Sequence, residues 1–367
     1  MLESNNKNIV VRGVDDFSDE DINKFWEERS AGSNNLLVLG LTTKNVCNLR
    51  CLYCFGTDEI TGESEQTMSL ADYHRVIDEA KELGVKTVVY CSNGEPLMDE
   101  KLPSILEHAS QKGLTNAILT NATIMGNDRI SKRVHGMSGL DMAQLIFDNN
   151  GSIIMSLDSL DEKNYDTIVN VRGSYKYAQQ AMENMVRVGF ANTVEDGDRR
   201  VTRLLLSMLA NKLNFHEIPD VRSFAHDLGA QFVVKLPSLL GRANDNRSLF
   251  FDNNETTRWI REDYFKRMSD KSETVSADDI GRCGVWHYGI VVGSDGAIRQ
   301  CFSVGDIGIG NVTQASLKAL ADKRQEKFLD RLFMNGCVTK DKDYCDCSRP
   351  KEVRIIPQIS PRNPANG

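Results

Sequence analysis

The chain has 367 residues, 52 acidic against 44 basic side chains and a formal net charge of −8 at pH 7. It is long enough for one barrel-sized domain with an appendage. The negative balance, with no basic run, argues against a nucleic-acid or anionic-membrane surface. No segment has the length and apolarity of a membrane span, and the opening Met1–Lys7 lacks the apolar core of a signal peptide. Nine cysteines in such a chain point to metal or catalysis and not to a disulfide framework. A cytoplasmic, oxygen-sensitive protein is the expectation.

Residues 1–35 are polar and read as an N-terminal extension covering the main domain, with a short helix around Asp19–Arg29. From Leu36 to about Leu240 strand and helix alternate. The runs Leu36–Leu41, Lys86–Tyr90, Asn116–Leu119, Ser152–Asp158, Val201–Leu209 and Gln231–Leu236 predict strands. Leu70–Leu83, Tyr175–Val188 and Phe215–Leu228 predict helices between them, the first and last closed by Gly84 and Gly229. Six strand–helix units with short links predict an α/β fold with a parallel sheet. Residues 244–282 read as a charged bridge with a helix near Glu255–Met268. Tyr288–Val292 and Ala297–Cys301 flank Gly293-Ser294-Asp295-Gly296, a hairpin turn. An amphipathic helix is expected over Ala315–Phe333, and the tail 351–367, with Pro357, Pro361 and Pro364, is expected to be extended or disordered.

The cysteines are clumped. Cys47, Cys51 and Cys54 form Cys-x3-Cys-x2-Cys in the loop that leaves the first strand; Cys91 stands alone; Cys283, Cys301, Cys337, Cys345 and Cys347 form a second district. Thiolates at short spacing are soft ligands for zinc, copper or iron–sulfur clusters. A cubane has four irons and normally takes four thiolates, so three would leave one iron open to a substrate or cofactor. Zinc is the alternative, but it wants a fourth ligand, and the nearest histidine, His74, falls on a helix. Cys91 reads as a small buried residue.

The loop Cys47-x3-Cys51-x2-Cys54 with Phe55 behind it resembles the signature of the radical S-adenosylmethionine (SAM) enzymes. That resemblance implies that the open iron binds the amino and carboxylate groups of SAM. An electron then splits SAM to methionine and a 5′-deoxyadenosyl radical, which abstracts a hydrogen atom from substrate. It also implies a partial (β/α)6 TIM barrel, here residues 36–243, with ligands at the C-terminal strand ends. Asn93-Gly94-Glu95-Pro96 is similar to the family's Gly-Gly-Glu-Pro, which receives the SAM ammonium group, with Asn93 replacing the first Gly. Thr120-Asn121-Ala122 resembles a Thr-Asn-Gly that faces the cofactor. Ser156-Leu157-Asp158 and Arg172-Gly173 match segments near SAM, the Arg able to pair with its carboxylate. Ser207 and Asn211 are candidates for the ribose hydroxyls. Lys235-Leu236-Pro237 and Gly241-Arg242-Ala243 resemble the segment that runs past adenine.

The second district, residues 283–350, resembles the SPASM and twitch extensions of this family, which hold auxiliary iron–sulfur clusters. Five cysteines suffice for one four-coordinated [4Fe–4S] cluster with one left over, which favours the smaller twitch form. Cys283 and Cys301, with two of Cys337, Cys345 and Cys347, would be its ligands; the spare thiol is structural or a hydrogen-atom donor. A zinc ribbon is the alternative for this district, and Trp286, His287 and Tyr288 are candidates to line a cavity beside it.

Three functions are compatible with the resemblance. The first is a radical SAM oxidoreductase that oxidises or epimerises a small-molecule natural-product intermediate of sugar or aminocyclitol type, recharged by a donor such as flavodoxin or ferredoxin. The second is a maturase that crosslinks or epimerises a ribosomal peptide; an extension of roughly 35 residues is short for a separate peptide-binding domain, which weakens it. The third is a metal-stabilised binding protein that is no enzyme.

Overall fold

The structure, a computed structural model, describes residues 8–56, 67–197, 199–235, 237, 240–250, 288–302 and 304–324. Cys283, Cys337, Cys345, Cys347, Trp286, His287, the bridge helix Glu255–Met268 and the tail from Lys351 lie outside the described residues; the strand of Cys301 is described but not its side chain.

The strands are β1 (Asn8–Val11), β2 (Val38–Leu41), β3 (Thr87–Tyr90), β4 (Thr115–Thr120), β5 (Gly151–Ser156), β6 (Val194–Asp196), β7 (Arg199–Thr202), β8 (Leu204–Leu209), β9 (Gln231–Lys235), β10 (Gly289–Val292), β11 (Ala297–Cys301) and β12 (Val304–Asn311). The helices are α1 (Asp19–Ser30), α2 (Leu70–Glu82), α3 (Leu102–Gln111), α4 (Asp128–His135), α5 (Gly139–Asp148), α6 (Glu162–Val169), α7 (Tyr175–Val188), α8 (Ile218–Leu228) and α9 (Gly241–Asp245). One nine-stranded sheet has the order β12-β11-β10-β2-β3-β4-β5-β8-β9. Its run β2-β3-β4-β5-β8-β9 is parallel throughout, the arrangement expected of a (β/α)6 partial barrel.

The two faces of this sheet follow from the period of two. Leu39, Leu41, Val88, Tyr90, Ile118, Ile153, Met155, Leu204, Leu206 and Phe232 lie in one large core with the helices. Local sequence sets those helices: Ser69 and Asp72 close a capping box on α2, and Ser138 and Asp141 do the same on α5. The other face is floored by the N-terminal residues. Val11 packs with Ile154 and Leu205, and Phe25 with Leu37 and Val38.

Two expectations are corrected. The stretch Val201–Leu209 is not one strand. It breaks at Arg203, whose guanidinium lies 4.3 Å over the Phe147 ring and donates to Phe147 O at 2.8 Å. Residues before the break, β7, belong to a separate three-stranded sheet ordered β1-β7-β6. The stretch Phe215–Leu228 opens as a 3-10 turn, and α8 begins only at Ile218, where Pro219 sets the first turn. Among the described residues no helix is long and apolar enough to cross a membrane.

Candidate active site

Parallel strands end at one edge, so the loops after β2, β3, β4, β5, β8 and β9 meet there. The first carries Cys47, Cys51 and Cys54, all half-buried, and other loops grip it. On one flank the N–H groups of Arg50 and Leu52 donate to the last carbonyls of α6, Val169 O at 3.0 Å and Ile168 O at 2.9 Å. This uses acceptors that a helix end leaves unpaired. On the other flank Arg242 Nε donates to Cys51 O at 3.1 Å and Asn246 Nδ2 to Leu52 O at 3.1 Å. Ala243 N–H donates to Cys54 O at 3.2 Å. The helix α9 thus closes on the cysteine loop, and Gly241 explains how. A Cβ there would come within 2.3 Å of Gly56 O and 2.4 Å of Phe55 O.

The loop after β3 presses on the same segment from within. A Cβ on Gly94 would lie 2.5 Å from Val46 N and 2.5 Å from Val46 O, while Glu95 N–H donates to Val46 O at 2.8 Å. Ser92 Oγ anchors the turn to Thr43 O at 3.1 Å and accepts from Gly94 N–H at 3.1 Å. Glu95 is buried. Its Oε1 accepts from Thr120 Oγ1 at 2.5 Å and Leu97 N–H at 3.1 Å, and its Oε2 from Asn121 N–H at 2.8 Å. The carboxylate therefore ties β3 to β4. Burial pushes it up to about 7, against these three donors, which pull it down. Asn93 Oδ1 is buried with no hydrogen-bond partner.

The third loop completes the inner wall. Asn121 Nδ2 donates to Asn48 Oδ1 at 3.1 Å and lies 3.9 Å from Cys47 Sγ, and Asn48 Nδ2 donates to Thr123 Oγ1 at 2.8 Å. Ala122 has φ 60°, the left-handed region where glycine is at home, which accounts for a Gly in the pattern that Thr120-Asn121-Ala122 resembles. Ser156 and Ser207 are register partners at the ends of β5 and β8. Their period puts them above Ile154 and Leu205, on the face away from the helices.

Two further candidates stand differently. Arg172 is exposed, in the turn between α6 and α7. Asn211 is buried, and its side chain is engaged in its own turn: Oδ1 accepts from Leu213 N–H at 2.9 Å and Nδ2 donates to Leu209 O at 3.2 Å. Sequence reasoning passed over Tyr53, whose hydroxyl donates to Asp158 Oδ2 at 2.5 Å. It also passed over Asn48, Thr123 and Asn246. Asn48 and Tyr53 lie within the cysteine motif, but nothing in the sequence pairs them with Thr123 and Asp158; only the folded loops bring those two and Asn246 to the cysteine loop.

Two of the thiols, Cys47 and Cys51, are held against ionisation. Burial, then the Glu95 charge, pushes Cys47 up to about 12, and burial, then Cys47 and Asp158, raises Cys51. Thiolates in this setting need a cationic partner, and binding one releases their protons. Leu49 N–H at 3.4 Å from Cys47 Sγ and Gly56 N–H at 3.4 Å from Cys54 Sγ already point at sulfur. Among the described residues no group of three or more His, Cys, Asp or Glu side chains is arranged to hold a single metal ion; a cubane instead gives each thiolate its own iron. Soft donors and sulfur-directed N–H groups, with the orphaned Asn93 Oδ1 in the turn that packs on Val46, fit a cluster with a polar ligand.

Residues 41–206 match the family model of the radical SAM superfamily. A probable GTP 3′,8-cyclase of Methanococcus maripaludis is 26% identical over 220 residues, 58% of this chain and 64% of that protein. The PqqA peptide cyclase of Bradyrhizobium diazoefficiens is 24% identical over 231 residues, 62% of this chain and 54% of that protein. The chain thus spans about three fifths of the length of such curated relatives. Among solved structures, Streptococcus suis SuiB bound to precursor peptide SuiA superposes with a TM-score of 0.57 at 14% identity, over 82% of this chain and 68% of that one. The protein anSMEcpe with bound AdoMet and Cp18Cys peptide gives 0.53 at 15%, over 79% and 82%. At such identities these two show the fold. Residues 41–206 thus carry a radical SAM superfamily domain, a class whose enzymes work with a [4Fe–4S] cluster and S-adenosylmethionine.

Proposed function

We propose that the chain cleaves SAM reductively and abstracts a hydrogen atom from a small molecule of sugar or aminocyclitol type, oxidising or epimerising it. The observation that carries this reading is the clamped cysteine loop: three thiols at the C-terminal strand ends, with Gly94 and Glu95 packed against Val46 between them and the barrel. When bound, the cluster supplies the electron that splits SAM into methionine and a 5′-deoxyadenosyl radical. Cys47, Cys51 and Cys54 would hold it. Asn93, with its unpaired Oδ1, and the turn at Gly94 and Glu95 would meet the methionyl end of SAM; Asn121 would orient the cysteine loop through Asn48. Ser156 and Ser207 would present hydroxyls from adjacent strands, with Arg172 for the carboxylate and Asn211 shaping the ribose side through its turn. This is positioning, the share of catalysis that falls to protein. An auxiliary [4Fe–4S] cluster on Cys283, Cys301 and two of Cys337, Cys345 and Cys347 would take an electron from the substrate radical.

Relatives named GTP 3′,8-cyclase favour a small substrate. A peptide substrate is the second reading, favoured by the relative named PqqA peptide cyclase and by likeness to SuiB with its precursor peptide. Anaerobic incubation with SAM and dithionite should release 5′-deoxyadenosine, and Cys51→Ala should abolish it. Unchanged release from Cys51→Ala would overturn the reading. Stimulation of that release by candidate sugars or by linear peptides separates the two substrate classes.

A further inference from the structure

The barrel interior is layered. Leu119, Ile154, Leu205 and Val233 make its apolar floor, packed with Val11. Two residues further along each of those strands, the alternation of side chains turns Asn121, Ser156, Ser207 and Lys235 to the same face. Ser207 is the register partner of Ser156, and Lys235 closes β9 opposite Leu209, one step above them. Three members of this upper layer carry neutral amide or hydroxyl groups. The fourth carries an ammonium.

The side chain of Lys235 is exposed, but to the lumen and not to bulk water. Enclosure by protein, the largest effect, lowers its pKa, and the charges of Cys91 and Asp158 oppose that. Those two residues follow β3 and β5, neither of which adjoins β9, so the ammonium is felt across the barrel mouth. The neighbouring carboxylates are already matched. Asp158 accepts from the Tyr53 hydroxyl at 2.5 Å and from Leu209 N–H at 2.9 Å. Glu95 accepts from Thr120, Leu97 and Asn121. Among the described residues Lys235 Nζ has neither an ion pair nor a hydrogen bond. The upper layer therefore holds an unmatched cation in a space whose anions are satisfied, and an enclosed charge favours a partner of opposite sign.

We propose that Lys235 binds an anionic group of the substrate, a phosphate or carboxylate carried on a sugar. This narrows the substrate class proposed above and rests on that reading. A lysine ammonium is a compact charge with three donors and suits either oxyanion. Enclosed by protein, such a pair is worth more than its counterpart at a surface. An aminocyclitol, protonated at neutral pH, would instead bring like charge against Lys235. Of the two kinds of small molecule considered, the lumen thus selects the acidic sugar. The contact is ionic; no bond is made or broken in it.

The test uses reconstituted holoenzyme with SAM and four hexoses of similar frame: glucose 6-phosphate, glucuronate, glucose and glucosamine. Their Kd values are measured by calorimetry in phosphate-free buffer for the wild type, Lys235→Met and Lys235→Arg. At least one anionic hexose should bind the wild type about tenfold or more tighter than glucose or glucosamine, the usual worth of a hydrogen bond to a charged group. Lys235→Met should bring that preference close to one, and Lys235→Arg should keep most of it. If Lys235→Met does not fold, Lys235→Gln, polar and nearly as long, takes its place in the same comparison. A wild type with no preference for either anionic hexose would overturn the proposal, as would a preference that survives Lys235→Met. A Kd for SAM raised as much as that for the anionic hexose would also overturn it, by giving the ammonium to the cofactor. Wild-type protein that prefers the anionic hexose but releases no deoxyadenosine under dithionite would sink the proposed reaction and leave the anion site standing.

Discussion

At Gly94 the β3 turn lies against Val46, and an added methyl would meet its backbone N and O at 2.5 Å. Neither atom belongs to a flexible side chain, so the cysteine loop itself would have to move. Gly94→Ala should therefore fold, because the displacement is local, yet lose on the order of 10²-fold in deoxyadenosine release, the usual effect of a misplacement near 1 Å. Glu95 next to it predicts a pH dependence. Burial raises its carboxyl to about 7 from 4.5 in the unfolded chain. Folding therefore takes up a proton between those values. Stability is favoured below 4.5 and declines as pH rises through 7, at a cost of up to about 3 kcal/mol above it. Denaturant titrations of the apoprotein at about pH 5 and about pH 8 should show that decline in the wild type, and Glu95→Gln, which cannot ionise, should reduce it to the smaller part contributed by buried Asp158, whose carboxyl is raised to about 6. The Cys47, Cys51 and Cys54 spacing and the Gly94-Glu95-Pro96 run were legible because they are contiguous. The Tyr53–Asp158 pair was not, because 105 residues separate its members.

Among the elements, the N-terminal segment shows best what periodicity reads and what it misses. The helix expected over Asp19–Arg29 is present as α1, since a polar stretch with a few apolar residues at helical spacing is enough to mark it. The strand β1 escaped notice because four residues, Asn8–Val11, carry little pattern of their own. Their partner is β7, whose Arg199 pairs in register with Asn8. The same partnership split the predicted strand Val201–Leu209, since a continuous apolar run says nothing about a change of sheet at Arg203. The segment's packing makes a prediction at this scale. Phe25 is fully buried and meets Tyr288 edge-on at 5.3 Å, joining α1 to the last third of the chain. Phe25→Ala should cost about 3–5 kcal/mol in denaturant unfolding, whereas an exposed α1 change such as Lys24→Ala should cost less than about 0.5 kcal/mol.

For the molecule as a whole, the parallel run of six strands was legible in the alternation of strand and helix from Leu36 to Leu240. The attachment of the C-terminal hairpin was not. The turn Gly293–Gly296 marked β10 and β11 as a pair, but no local pattern says that β10 then adds to the barrel sheet beside β2, Gly289 opposite Val38. Gly40 permits the fit: a Cβ there would strike Phe302 and Val291 at 2.8 and 2.9 Å. Cys301 ends β11, so this hairpin carries one proposed auxiliary ligand on the barrel's own sheet. Two cubanes predict about eight irons per reconstituted chain. Cys301→Ser should bring the count to about four while Cys51→Ala removes the other four; an iron content near four in the wild type would remove the auxiliary site.

The β2–β10 pairing also bears on how the protein is made. The outer edge of β2 is finished by a strand that the ribosome delivers some 250 positions later. At roughly 5–20 residues per second that wait lasts on the order of 10–50 s. Throughout it the nascent barrel presents an open row of amide and carbonyl groups to any neighbouring polypeptide. Synthesis of this protein should therefore lean on a chaperone that shields that edge, and chains truncated before Gly289 should precipitate where the 367-residue chain does not.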